Sequence, residues 1–97
     1  MNANIKNAMK DAKTIGFTIG KFYKDEEFMK MFGNGIATFE AVSYLIDNYP
    51  DDCVALICAY DSIDADDYAP ENGRALFTDM LRVISAKEIA KVFQSAE

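Results

Sequence analysis

Between Met31 and Gly73 this chain carries nine carboxylates, Glu40, Asp47, Asp51, Asp52, Asp61, Asp64, Asp66, Asp67 and Glu71, and no lysine or arginine. The flanks are mildly basic: six lysines against four acids in residues 1–30, and four basic groups against three acids in residues 74–97. The net charge of -6 therefore arises in the middle. Clustered carboxylates can ligate a hard cation, act as an acid/base pair, or present a patterned negative surface to a partner. Each use makes its own demand on spacing and surroundings.

The calcium reading centres on Asp61, Asp64, Asp66 and Asp67. An EF-hand loop needs acids at positions 1, 3 and 5, glycine at 6 and glutamate at 12. Counted from Asp64, these last three places hold Tyr68, Ala69 and Ala75, and the match fails. An irregular divalent site needs only clustered oxygens and stays open as an alternative. Asp51-Asp52 could serve as an acid/base pair if one pKa were raised in an apolar pocket, but acids in a connection after Pro50 are expected to be solvated. The chain has no histidine to act as base or ligand. Neither Gly16-Phe-Thr-Ile-Gly20 nor Gly33-Asn-Gly35 has the spacing of a phosphate-binding loop, and Asn34-Gly35 reads as a turn.

Cys53 and Cys58 lie in the run CVALICAY. If that run is extended, their Cα atoms are ~16 Å apart on opposite strand faces, beyond the ~7 Å of a disulfide. They are expected to be free, buried thiols in a reducing compartment. No CxxC knuckle is present to favour a metal.

A chain of 97 residues with 51% apolar content supports one domain, 1–97, with one core. The N-terminus MNANIKNAMKDAK has no unbroken apolar run, no stretch approaches the ~18 residues of a membrane span, and no Asn-x-Ser/Thr site occurs. A soluble, cytoplasmic protein with no membrane partner is expected. A pI of about 4.5 opposes direct nucleic-acid binding. Lys6, Lys10 and Lys13 share a helix face, which a solvated surface explains.

The elements that must position the acids read as α+β. A helix is expected over about 3–14, with Ile5, Ala8, Met9 and Ala12 inward and Gly16 at its end. The β-branched and aromatic run 17–23, FTIGKFY, reads as a strand. A short helix over 24–32 starts with Asp25, Glu26 and Glu27 in its first turn and closes at Gly33. Thr38 is an N-cap for a third helix carrying Phe39, Val42, Leu45, Ile46 and Tyr49, ended by Pro50. CVALICAY reads as a central strand covered on both faces. Residues 61–73 have loop composition. Residues 74–84 fit a helix through Leu76, Met80 and Ile84, but MLRVI also fits a strand. The capping box Ser85-Ala-Lys-Glu88, opening a fresh helix with Ile89, Val92 and Phe93 inward, favours a strand at 80–84. The expected fold is a single small α+β domain of two to four strands and about four packed helices.

Carboxylates two apart on an extended segment, such as Asp64 and Asp66, lie ~7 Å apart, and Glu40 and Asp47 share one helix side two turns apart. Phosphates along a DNA strand have spacings of that order. Through its size, its acidity, its lack of histidine and of catalytic motifs, and Asp47, Asp51, Asp52, Asp61, Asp64, Asp66, Asp67 and Glu71, the chain resembles the small acidic inhibitors of phages and mobile genetic elements that imitate DNA, especially anti-CRISPR proteins. That resemblance implies a non-enzymatic inhibitor without a cofactor, occupying the DNA-binding groove of a CRISPR effector complex where the PAM-proximal duplex enters. Its partner-binding residues would be those same eight acids, set against a basic protein surface. The competing readings are a small metal-dependent or carboxylate enzyme, and a plain interaction module with a solvated acidic surface.

Overall fold

The computed structural model describes residues 3–32, 39–69 and 73–96, with side-chain surroundings for 8–32, 39–69 and 73–92. Gly33, Asn34, Gly35, Thr38 and Glu71, and the side chains of Ile5, Lys6 and Phe93, lie outside these described residues.

Helix follows helix: α1 (Ala3–Tyr23), α2 (Glu26–Phe32), α3 (Phe39–Asn48), α4 (Pro50–Asp61), a 3₁₀ turn (Ala65–Asp67), α5 (Gly73–Ile84) and α6 (Lys87–Ala96). No strand occurs among the described residues, so the α+β expectation, with its sheet of two to four strands, is overturned. All three expected strands are helical.

In 17–23, Thr18, Ile19 and Phe22 are buried and Ile15 packs on the core, whereas Phe17 is 72% exposed. That spacing of three and four is helical; alternation would have put Phe17 and Ile19 on one face. The β-preference of FTIGKFY is a weak bias that tertiary packing overrides. Gly16 does not end α1, which continues seven residues beyond it.

CVALICAY is helix α4. Cys53, Leu56, Ile57, Cys58 and Ala59 are all buried because the helix is surrounded by α1, α3, α5 and the 3₁₀ turn. A helix packed against neighbours on most of its sides shows a continuous apolar run, the same signature as a two-sided strand. Pro50 sits in its first turn with Asp51 and Asp52, so it begins α4 as well as ending α3. These two acids are therefore helix-start residues, not part of a connection. Ser62 adopts the left-handed conformation at the helix end (φ 57°), its N–H donating to the Cys58 carbonyl.

In α5, Met80, Val83 and Ile84 are buried with Leu76 and Phe77 packed beside them, so the helical stripe prevails over the strand reading of MLRVI. A two-residue turn, Ser85-Ala86, separates it from α6; the fresh helix start needed no preceding strand. Glu88 accepts the Tyr60 hydroxyl at 3.3 Å, tying α6 to α4.

The core is built from Ile19 and Phe22 of α1, Phe28 of α2, Leu45 of α3, Leu56 and Ile57 of α4, Met80 and Val83 of α5 and Ile89 of α6. Phe22 contacts Phe28 and Tyr49 with tilted rings, at centroid distances of 5.9 and 5.5 Å. Among the described residues no helix is long and apolar enough to cross a membrane.

Candidate functional site

Helix α4 divides the acidic stretch in two. Asp51 and Asp52 open it and Asp61 closes it, ten positions later, which at 1.5 Å per residue is a separation of ~15 Å. Asp47 joins the first group from the last turn of α3, and Asp64, Asp66 and Asp67 join the second from the 3₁₀ turn. Glu71 lies outside the described residues. What is one run in sequence is two groups in space.

Several of these carboxylates have a structural partner. Asp52 is paired with Lys21 of α1 at 3.1 Å, closing the end where α1 and α4, running antiparallel, meet. Asp61 takes both guanidinium nitrogens of Arg82, at 3.0 and 2.7 Å, and Asp79 approaches the same Arg82 at 3.6 Å. The Asp61 hydrogen bond is the main reason the Arg82 pKa is raised. Asp64 caps the 3₁₀ turn by accepting the Asp66 N–H at 3.0 Å. Tyr68 donates to Asp79 at 2.8 Å and so anchors the segment after the turn to α5.

Four acids remain: Asp47 and Asp51 at one end of α4, Asp66 and Asp67 at the other. All are exposed, and none forms an ion pair or side-chain hydrogen bond among the described residues. Asp51 still gains from the positive end of α4. Asp47 has no such local support, since it lies in the last turn of α3, where a carboxylate opposes the helix dipole and no basic residue offsets it. Glu40 and Asp47 are both exposed on α3 at the expected two-turn spacing. The ~7 Å extended spacing expected for Asp64 and Asp66 does not hold, because both belong to the tight turn.

Sequence reasoning missed a second cluster. Asp25 precedes α2 and caps it, accepting the Phe28 N–H at 3.1 Å. The same carboxylate accepts the Tyr49 hydroxyl at 2.6 Å and the Tyr44 hydroxyl at 2.9 Å, locking α2 onto the α3–α4 junction. Hydrogen bonds from Tyr49 and Phe28 hold the Asp25 pKa below its ordinary value. In return the Tyr49 hydroxyl is pushed up to about 12, chiefly by the Asp25 hydrogen bond and then by burial. A carboxylate this well supplied with donors is a poor proton acceptor, and these tyrosines are poor acids, so the cluster is a clamp. Its one legible signal was Asp25 at a helix start; the tyrosines lie 19 and 24 residues away.

Cys53 and Cys58 are free and buried. On a helix they sit five residues and about 140° apart, giving a Cα separation of about 9 Å, still too long for a disulfide. Burial raises both thiols, Cys53 to about 12 with help from Asp52, and Cys58 with help from Asp61 and Asp64. Thiols held protonated at neutral pH are poor nucleophiles and poor metal ligands. Among the described residues no three His, Cys, Asp or Glu side chains gather in a way that could hold a metal ion.

Comparison with known protein families, with curated proteins and with solved structures finds no match to this chain.

Proposed function

We propose that this protein is a non-enzymatic inhibitor that binds a basic, nucleic-acid-binding surface of a partner protein through the carboxylates at the two ends of α4, in the manner of the DNA-mimicking anti-CRISPR proteins it resembles. The partner is then a CRISPR effector complex or a surface of like chemistry. The observation that carries this reading is the set of four exposed acids, Asp47, Asp51, Asp66 and Asp67, left without an ion partner among the described residues. They fall into two groups, Asp47 and Asp51 by the start of α4 and Asp66 and Asp67 in the turn after its end, so the negative charge is presented at two places instead of one. Ion pairs account for Asp52 and Asp61, which therefore contribute to the fold more than to the contact.

The test is capture of the partner from host lysate over a salt series, followed by charge reversal in pairs. Asp47→Lys/Asp51→Lys or Asp66→Lys/Asp67→Lys should weaken binding at least about tenfold while leaving cooperative melting intact. Wild-type affinity should fall steeply with salt, and DNA should compete. Binding by both pair variants at wild-type strength, indifferent to salt, would make the acids a solvated surface.

A further inference from the structure

Beside the second acid group lies a groove of about 660 Å³ between α1 and the C-terminal half of α4. Ala55 and Ala59 of α4 form its floor, Ala8 and Thr14 of α1 one wall, and Ile63 and Ala65 the other. Ile63 is 40% exposed although apolar, and Cys58 closes the base. Small side chains on both sides leave a slot rather than a packed seam, with a volume within the ~300–1,000 Å³ of ligand clefts. Its polar edge is mainly acidic. Asp11 and Asp64 line it, Asp66 and Asp67 stand next to Asp64 in the same turn, and among the described residues Lys10 is the one cation of the lining.

We propose that this groove receives an apolar side chain from a cationic amphipathic segment of the partner protein, whose lysines or arginines meet Asp11, Asp64, Asp66 and Asp67. Charge complementarity selects that occupant: Asp11 and Asp64 outnumber Lys10 among the described lining residues and Asp66 and Asp67 follow in the adjoining turn, so an acidic segment would be repelled, and a purely polar basic one would leave the alanine floor and Ile63 wet. The inference rests on the proposed function and refines it. It divides the contact into a charged part that steers and an apolar anchor that holds.

The probe is a synthetic helical peptide with lysines on one face and leucines on the other, compared with a peptide of equal charge in which alanines replace the leucines. Binding is followed by NMR through the methyl signals of Ala8, Ala55, Ala59, Ile63 and Ala65. The leucine peptide should bind at least tenfold more tightly than the alanine peptide and shift those methyls saturably. Ala55→Leu, which fills the floor, should erase the difference. Ala65→Phe, at an exposed position on the wall, should do the same, and it keeps the test decisive if Ala55→Leu does not fold. Equal affinity of the two peptides, shifts centred elsewhere, or a leucine advantage that survives filling would overturn the groove. If charge-reversed variants lose the natural partner while filled variants keep it, the groove is refuted and the acidic contact stands.

Discussion

Gly16 offers a direct test of the helix that runs on through its own expected end and through the expected strand 17–23. It lies on the exposed surface of α1, seven residues from the helix end, and a Cβ built there meets nothing within 4 Å. Its backbone is not in the left-handed region, so no conformational demand holds glycine in place. Alanine at an exposed, interior helix position is more favourable than glycine by about 0.8–1 kcal/mol, and valine falls behind alanine by ~0.5 kcal/mol because its branched side chain loses rotamers against the preceding turn. The stability order should therefore be Gly16→Ala, then Gly16→Val, then wild type. For a domain this small, the alanine gain corresponds to a rise of roughly 4–8 °C in Tm. Urea denaturation of the three proteins at one pH, with unchanged m-values, measures it. On an extended segment the preference reverses, since valine packs better than alanine on a pleated surface. Valine above alanine would refute the helical assignment here, and loss of stability in both would restore Gly16 as a left-handed helix end.

Other expected outcomes follow from the same geometry. The Asp25 carboxylate is favoured in its charged form by folding, so its contribution is present above its ordinary pKa and is lost as pH falls through the lowered one. Asp25→Ala should lose the α2 cap, worth about 1 kcal/mol at neutral pH, and flatten the acid limb of a stability–pH curve; an unchanged limb contradicts the clamp. Tyr49 has the opposite sign: folding favours its neutral form, and stability should decline as pH rises from 10 towards about 12, a limb that Tyr49→Phe removes. Ser62→Gly relieves a left-handed residue and should stabilise by about 1 kcal/mol in the same urea assay; destabilisation would indicate that the Ser62 side chain has a role. Both thiols should label slowly in native buffer and give two equivalents in denaturant, whereas rapid native labelling would show that α4 is not enclosed.

Local signals in the sequence located several features. Apolar spacing marked helices over 24–32 and from Phe39 to Tyr49, acids marked the start of α2, and Pro50 marked a boundary. The cysteines could be read as buried and unpaired whether their segment was strand or helix, because five residues separate them too far in either geometry. The identity of α4 was not local information. An unbroken apolar run says only that an element is covered on both sides, and α1, α3, α5 and the 3₁₀ turn are what cover this one. The β-branched and aromatic residues of 17–23 and 80–84 carried a preference of at most ~1 kcal/mol, which burial of Ile19, Phe22, Met80 and Val83 on helical spacing outweighs. Composition alone placed the charge in the middle of the chain. Only the tertiary structure decided that Lys21 and Arg82, from the basic flanks, return to neutralise Asp52 and Asp61, and that Asp25 is held by two tyrosines from beyond α2. Because α4 is a helix with acids at both ends, the remaining carboxylates stand as two groups, one by the start of α4 and one in the turn after its end, instead of a continuous strip.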